Sequence, residues 1–322
     1  MASEVTVGID IGGTNTVLGL VDRQGRCLAE SSIPTHAHED ARSLVDRLAP
    51  TIRELRAALP GQSVILGIGI GAPNANYYRG TVEDPPNLSW KGITHLVALF
   101  GEHFDVPTVV TNDANAAALG EMRFGAAQGM RDFIVITLGT GLGSGVVANG
   151  ELIYGADGFA GELGHTIVDP QGRWCGCGKR GCLEAYSSAS GLCRTVFELL
   201  CIMRDESELR DVSFRQLTAK MVTAAAQKGD PVALAAFDHA GEILGMKLAD
   251  SVVHTSPEAI ILFGGLANAG DLIFAPTKRS LEAHLMGIFK GKVKLLPSSL
   301  PAGNTAVLGA AALIWTELLK SR

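Results

Sequence analysis

The chain has 322 residues, of which 47% are apolar and 19% charged, so it can form packed cores and is not a disordered protein. Its length favours two domains, and its formal net charge of -6 argues against nucleic acid as the main partner. No signal peptide opens the chain and no apolar run reaches the roughly 18 residues of a membrane helix, so we expect a cytoplasmic protein without membrane contact.

The amino-terminal segment predicts three strands joined by short turns. Apolar runs at 5–9 and 16–21 flank a turn at Asp10–Asn15, and a third candidate strand covers 27–32. This order is typical of a β meander.

A helix, a buried strand and a strand-to-helix junction follow the meander. Apolar residues recur at helical spacing over 39–59, and the strand predicted at 64–70 has little polar interruption, which predicts burial on both faces. Residues 109–111 read as the end of a strand that runs into an alanine-rich helix.

The second half repeats the opening pattern. A strand at 133–138 precedes a glycine-rich turn at 139–145, a strand from Val146 and a hairpin at Asn149–Gly150. A duplicated unit with a ligand between its copies explains the repetition, because each turn would donate backbone amides to the same phosphates. The alternative is two unrelated hairpins.

The remaining chain is predicted to be mainly helical over 187–255, followed by a strand at 259–263 that ends in Gly264–Gly265. A last amphipathic helix is expected at 304–319. Because no low-complexity linker is present, we expect the two domains to meet at an articulated cleft.

The two glycine-rich turns are candidate phosphate-binding sites. Residues 10–15 place two glycines and a hydroxyl after a strand, where backbone amides can approach an anion and Asp10 can hold a hydrated magnesium ion. The alternative is a hairpin turn with a structural aspartate. The turn from Gly139 is followed by a strand, whereas a Rossmann loop opens a helix, so the context favours phosphate binding over hydride transfer.

One histidine and three cysteines form a candidate metal site. The Cys-x-Cys-x4-Cys spacing with interspersed glycines permits a tight knuckle, and a shell made only of protein ligands indicates structural zinc. The alternative is four unrelated loop residues. The candidate ligands are His165, Cys175, Cys177 and Cys182. Such a metal would also hold Glu162 and Glu184 in place.

The strand-to-helix junction supplies candidates for an acceptor site. Asn112 offers an amide to hydroxyl groups and Asp113 can accept a proton, although both residues are also common helix caps. Amide and carboxylate groups elsewhere suit a ring of hydroxyls, which makes a sugar the expected ligand. The candidate sugar-binding residues are Asn74, Asn87, Asn112, Asp113, Glu162, His165 and Glu184.

These motifs together resemble the ROK family of bacterial sugar kinases and regulators, and the resemblance spans nearly the whole chain. The matching motifs are Asp10-Ile-Gly-Gly-Thr14, Thr111-Asn-Asp-Ala-Asn115, Leu138-Gly-Thr-Gly-Leu-Gly-Ser-Gly145, Gly161-Glu-Leu-Gly-His165, Cys175-Gly-Cys-Gly-x-x-Gly-Cys182-Leu-Glu184 and Gly264-Gly265. The cysteine motif is highly specific, whereas Asp-x-Gly-Gly-Thr is shared more broadly among actin-like ATPases.

The resemblance implies an α/β, actin-like (ribonuclease-H-like) fold with two domains around a cleft. The implied small domain covers 1–113 and is completed by a helix at 304–322, and the large domain covers 114–303. The resemblance further implies a homodimer or tetramer, a structural zinc ion, and ATP with Mg²⁺ as cofactors. The implied nucleotide-binding residues are Asp10, Gly12, Gly13, Thr14, Asn15, Thr140, Gly141, Gly264 and Gly265.

The implied reaction is phosphorylation of a hexose at its 6-hydroxyl, with Asp113 as the base. Similarity over residues 71–92 favours glucose, and N-acetylmannosamine, N-acetylglucosamine, fructose and allose are the alternatives. Polyphosphate is an alternative donor. Asn74 stands where many relatives have glycine and Ser89 where proline is frequent. We call residues 71–92 the acceptor loop and expect its sugar contacts to differ from those of these relatives.

A sugar-responsive transcriptional regulator is the alternative of a different class. Such regulators need a helix-turn-helix ahead of the kinase-like part, and the first phosphate motif begins at residue 8, so an enzyme is favoured.

Overall fold

A computed structural model describes residues 3–301, 303 and 305–320. The strands are β1 (Ser3–Ile11), β2 (Asn15–Val21), β3 (Cys27–Pro34), β4 (Ser63–Gly71), β5 (Ala75–Asn76), β6 (Thr81–Glu83), β7 (Ile93–Thr94), β8 (Thr108–Thr111), β9 (Phe133–Leu138), β10 (Leu142–Ala148), β11 (Glu151–Leu152), β12 (Ala259–Phe263) and β13 (Lys294–Pro297). The helices are α1 (Ala41–Ala58), α2 (Leu96–Gly101), α3 (Asp113–Phe124), α4 (Glu184–Ser187), α5 (Ala189–Ile202), α6 (Ala219–Gln227), α7 (Pro231–Thr255), α8 (Asp271–His284) and α9 (Thr305–Lys320).

Two five-stranded sheets share one topology. The first has the order β3-β2-β1-β4-β8 and the second the order β11-β10-β9-β12-β13. In each sheet the first three strands form an antiparallel meander, and the last two pair in parallel. This correspondence confirms the predicted duplication and excludes two unrelated hairpins. A separate small sheet contains β5, β6 and β7.

The first half follows the sequence pattern closely, with one difference in β4. Helix α1 begins where the Asp40 carboxylate accepts the Ser43 N–H at 2.8 Å, which satisfies one free amide of the first turn. Strand β4 was expected to be buried on both faces. Val64 is nevertheless 45% exposed, and continuous burial begins only at residue 67. The strand therefore projects beyond the layer that covers it.

Helix α9 covers the first sheet, although it comes from the other end of the chain. A β-carbon at Gly8 of β1 would collide with the Val307 carbonyl oxygen, and one at Gly69 of β4 would collide with that of Ala310. The two glycines thus let the helix lie directly on the strands. This packing agrees with the predicted return of the last helix to the first domain. Residues 304, 321 and 322 of the predicted helix lie outside the described residues. The domain boundaries stay predictions.

The second glycine-rich turn is shorter than predicted. Strand β10 begins at Leu142, which pairs with Leu138, and only Gly139–Gly141 form the turn, closed by the Gly139 N–H donating to the Gly141 carbonyl at 3.0 Å. The prediction of a turn as far as Gly145 was wrong because glycines inside a strand also serve close packing. A β-carbon at Gly145 would stand 2.7 Å from that of Ala118 on α3.

The mainly helical stretch predicted at 187–255 contains α5, α6 and α7. Helix α7 begins after Asp230, whose carboxylate accepts the N–H groups of Val232 and Ala233 at 3.0 Å each. It packs with α5, α6 and α8 on the second sheet around a continuous apolar core. Within the described part of the chain, no helix is long and apolar enough to cross a membrane.

Candidate active site

A cavity of about 440 Å³ lies between the two sheets, beyond the carboxyl ends of β1, β8 and β12. Every predicted acceptor-site residue lines it. These are Asn74, Asn87, Asn112, Asp113, Glu162, His165 and Glu184. A second cavity of about 590 Å³ shares the acceptor-side wall and extends towards the cysteines.

The predicted nucleotide-binding residues divide into two groups. The cavity is lined by Asp10, Thr140, Gly141 and Gly264. The structure does not bring the others to its wall, and for these nucleotide contact stays a prediction. They are Gly12, Gly13, Thr14, Asn15 and Gly265.

The junction of β8 and α3 places the two central polar groups. Asn112 caps α3 with its Oδ1, which accepts the Ala114 N–H at 2.8 Å. Asp113 is the first residue of the helix, and its Oδ1 accepts the same N–H at 2.8 Å. The capping alternative therefore holds for both residues, yet the Asn112 Nδ2 and the Asp113 Oδ2 remain available to a ligand.

Two neighbouring carboxylates, those of Asp10 and Asp113, line the cavity. Burial, with a smaller contribution from the neighbouring Asp113, raises the pKa of Asp10 to about 7. Burial also raises the pKa of Asp113, while the Ala114 N–H lowers it. Both side chains are accessible from the cavity although protein atoms surround them. The pair is suited to hold a cation and to accept a proton.

The first glycine turn is fixed by contacts on both sides. The Gly12 N–H donates to the Asn15 carbonyl at 3.1 Å, and the Thr35 hydroxyl donates to the Gly12 carbonyl at 2.7 Å. A β-carbon at Gly13 would come within 3.0 Å of the Asn87 β-carbon. The turn is therefore packed directly against the acceptor loop.

The second glycine turn is fixed by an acidic side chain. Glu184 opens α4, and its Oε2 accepts the Leu142 N–H at 2.9 Å. Its Oε1 lies 3.4 Å from the Cys175 Sγ. Glu184 thus connects the phosphate-side turn with the cysteine loop.

The four predicted metal ligands converge. Their ligand atoms all lie within 4.8 Å of one another, with 3.6 Å between the Cys177 and Cys182 sulfurs and 3.7 Å between the Cys175 Sγ and the His165 Nδ1. A tetrahedral zinc shell with Zn–S bonds of about 2.3 Å requires sulfur atoms about 3.8 Å apart. The residues present therefore fit a zinc ion.

His165 faces both the cysteines and the cavity. Its Nδ1 points to Cys175, and its Nε2 lies 3.9 Å from the Glu162 Oε2. Burial raises the pKa of Glu162, with His165 opposing the increase and the carboxylates of Asp113 and Glu184 adding to it. Glu162 therefore interacts electrostatically with His165, Asp113 and Glu184.

Asn74 adopts a conformation that explains its departure from the ROK pattern. Its φ is +53°, a left-handed value that glycine adopts freely and that asparagine tolerates better than other residues. Its Nδ2 donates to the carbonyls of Glu83 and Asp84, each at 3.1 Å. The amide nitrogen is thus engaged within the acceptor loop, and contact with a sugar stays a prediction for its oxygen.

Ser89 uses a group that proline lacks. Its N–H donates to the Ala37 carbonyl at 2.7 Å, and the indole of Trp90 donates to the Glu39 carbonyl at 3.1 Å. The acceptor loop is thereby tied to the segment before α1.

Sequence reasoning missed several residues of the site. Thr137 and Ala306 line the cavity, and Thr137 accepts the Gly143 N–H at 3.1 Å. Ala306 belongs to α9, so only the return of that helix brings it to the site. Thr137 is the one polar residue in the strand predicted at 133–138, and this exception in an apolar strand could have indicated that it faces the site.

Known proteins resemble the chain over most of its length. The model of the ROK family matches residues 6–317. The chain is 36% identical to a glucokinase of Halalkalibacterium halodurans over 290 residues, which are 89% of this chain and 88% of that protein.

Solved structures and regulators extend the comparison. A crystal structure of a ROK family glucokinase from Streptomyces griseus in complex with glucose and AMPPNP gives a TM-score of 0.81 at 36% identity, covering 96% of this chain and 98% of that one. A xylose repressor of Caldicellulosiruptor bescii is 30% identical over 315 residues, which are 97% of this chain and 78% of that protein.

Proposed function

This chain belongs to the ROK family, and we propose that it is a glucose kinase that transfers the γ-phosphoryl group of ATP to the sugar 6-hydroxyl. Its fold is the mixed α/β, actin-like fold expected from the sequence, with two sheets of the same topology. The observation that carries the proposal is the placement of Asp113. Its carboxylate lies in a cavity lined by the Gly139–Gly141 turn and Gly264, together with amide and carboxylate side chains suited to binding hydroxyl groups.

Asp113 is the base of the proposed reaction. Its Oδ1 is held by the Ala114 N–H, which leaves Oδ2 to accept the proton of the 6-hydroxyl. A carboxylate whose pKa is raised by burial accepts a proton more readily near neutral pH than an exposed one. The hydroxyl is thereby oriented for in-line attack on the γ-phosphorus.

Asp10 and the glycine turns hold the phosphate side. A magnesium ion, when bound, would neutralise charge on the polyphosphate, and Asp10 would hold it through its water shell. The position of Asp10 on the cavity wall supports this role. Backbone amides of the turns at 12–15 and 139–141 would donate to phosphate oxygens.

Four side chains on the cavity wall would bind the sugar. The Asn112 Nδ2 donates to a hydroxyl, and carboxylates accept hydroxyl protons in pairs. The proposed residues are Asn112, Glu162, His165 and Glu184. Closure of the cleft would exclude water, which otherwise competes with glucose as acceptor.

We assign His165, Cys175, Cys177 and Cys182 to a structural zinc ion. The distances between their ligand atoms support this, and the full protein shell leaves no position for a reactive water. With Nδ1 on the metal, the Nε2–H of His165 faces the cavity and can donate to the sugar.

We further propose a homodimer or homotetramer in the cytoplasm, with hinge motion between domains 1–113 plus 304–322 and 114–303. The family resemblance supports these points. Sedimentation velocity at two protein concentrations would measure the oligomeric state. A monomer at both concentrations would refute the proposed dimer or tetramer.

A sugar and donor panel tests the proposed function. Initial rates would be measured for glucose, N-acetylmannosamine, N-acetylglucosamine, fructose and allose, each with ATP and with polyphosphate. We expect the highest kcat/KM for glucose with ATP. A tenfold preference for another sugar would show that this sugar, and not glucose, is the substrate. No turnover with any sugar, together with specific promoter binding in a gel shift, would show that the protein is a transcriptional regulator and not an enzyme.

A further inference from the structure

The segment between β11 and Glu162 crosses from the second sheet to the small sheet of β5, β6 and β7. We call residues 153–161 the crossing segment. Three of its residues, Gly155, Gly158 and Gly161, have φ values of 75°, 91° and 95°. Because glycine restricts the backbone little, contacts from outside must fix the path of this segment.

Asn76 makes one such contact from the small sheet. Its side chain is fully buried, and its Nδ2 donates to the Asp157 carbonyl at 2.7 Å. Its Oδ1 accepts the N–H groups of Tyr78 and Arg79 at 3.1 and 3.2 Å. Three hydrogen bonds therefore fix the amide, and one of them joins it to the crossing segment.

Two close contacts hold the segment against the small sheet. A β-carbon at Gly158 would stand 2.7 Å from the Asn76 Oδ1. Next to it, the rings of Tyr77 and Tyr154 stack with centroids 4.1 Å apart and planes at 8°. The crossing segment is thus docked on the small sheet at two adjacent points.

The other end of the segment is held by the second sheet. The Ser144 hydroxyl on β10 donates to the Gly161 carbonyl and accepts the Leu163 N–H at 3.2 Å. Glu162 lies between these two bonds. Its position therefore depends on an anchor in each half of the molecule, Asn76 and Ser144.

We propose that Asn76 is a positioning residue for sugar binding, which acts by holding the crossing segment and with it Glu162. The inference rests on the proposed function, because Glu162 is a sugar-binding group only in that context. Asn76 itself does not line the cavity. Loss of its bond to Asp157 weakens the acceptor site and leaves the phosphate side intact.

Two substitutions disturb this contact from opposite sides. Asn76→Asp keeps the acceptor for Tyr78 and Arg79 but removes the donor to Asp157. Gly158→Ala places a methyl group against the Asn76 amide and also strains the backbone, because the φ of Gly158 is 91°. For both we expect the KM for glucose to rise about tenfold, with the KM for ATP and kcat within about twofold. Amide hydrogen exchange should increase over 153–163 without any substrate present.

Thr81→Val is the matched control. Thr81 is the buried cross-strand partner of Asn76, and its hydroxyl donates to the Glu83 carboxylate at 3.0 Å, within the small sheet. This variant should lower the melting temperature and leave the KM for glucose unchanged. If Asn76→Asp fails to fold, the decision passes to Gly158→Ala.

Wild-type KM for glucose and wild-type exchange over 153–163 in the folded variants would overturn the positioning role. An inactive wild-type protein would instead refute the proposed function, and the exchange measurement would still test the anchor.

Discussion

The two sheets have the same strand order, but they contribute different chemistry to the site. In the first half, strand ends supply the carboxylates: Asp10 is the penultimate residue of β1, and Asp113 follows Asn112 after the end of β8. In the second half, the acceptor groups lie in the long insertion between β11 and β12, which also carries the cysteines. We therefore expect the repeated framework to position phosphate and base, and the insertion to supply Glu162, His165 and Glu184 to the sugar. Substitutions should separate these two tasks kinetically.

The largest effect is expected at Asp113, where the framework provides the base. Asp113→Asn keeps the shape of the side chain and removes the proton acceptor, so kcat should fall by roughly 10³-fold. Glucose binding measured by calorimetry should stay within about threefold, since the insertion supplies most hydroxyl contacts. Near-normal turnover by this variant would contradict the assignment of Asp113 as the base.

Asp10 should separate affinity for the nucleotide from affinity for the sugar. Asp10→Asn is expected to reduce kcat/KM for ATP by roughly 10²-fold, because a cation-holding carboxylate is lost. In the wild type, apparent Mg²⁺ affinity should rise from pH 6 to 8 as Asp10, with a pKa of about 7, loses its proton. The variant should lose this pH dependence, and titration of Mg²⁺ at several pH values measures it.

The same carboxyl makes a stability prediction of defined sign. Its pKa is higher in the folded protein, where it is about 7, than the ordinary value of 3.8, so the folded state binds its proton more tightly. The ligand-free protein should therefore lose stability as pH rises from about 4 through about 7. Asp10→Asn should flatten this part of the profile in thermal melts, and an unchanged slope would show that Asp10 is not the titrating group.

Disruption of the metal site should act on the insertion. Cys177→Ser removes one thiolate of the cluster while leaving the phosphate turns unchanged, so the KM for glucose should rise about 10- to 100-fold and the melting temperature should fall. Cys201→Ser is a suitable control, because Cys201 is an exposed cysteine of α5. Zinc analysis should find one equivalent per chain in wild type and control, and a zinc-free wild type would refute the assignment.

The smallest effect is expected at Asn74. Asn74→Gly relieves the left-handed backbone but loses two bonds to the acceptor loop, so stability should change by less than about 1 kcal/mol. Asn74→Ala loses the two hydrogen bonds and keeps the left-handed backbone strain, so it should be less stable than Asn74→Gly in urea denaturation. A more stable alanine variant would show that backbone strain is not the reason for asparagine.

The sequence predicted the framework well because the strand and helix patterns are periodic. Each meander, α1 and α9 followed from apolar spacing, and the acceptor residues converge as expected. The start of β10 was missed, since the glycines at 143 and 145 resemble a turn and their packing partner, α3, is invisible in the local pattern. Asn76 was also missed, because its bond to Asp157 joins positions with no shared periodicity. Local patterns predict elements, whereas such cross-chain bonds depend on the completed fold.

The packing of α9 on β1 and β4 has a consequence for biosynthesis. The strand that begins the first sheet leaves the ribosome early, but the helix that fits against Gly8 and Gly69 is made roughly 300 residues later. Until then one apolar face of that sheet has no cover. Nascent chains should therefore remain susceptible to protease and chaperone binding in their first half until α9 emerges, even after the second sheet has folded.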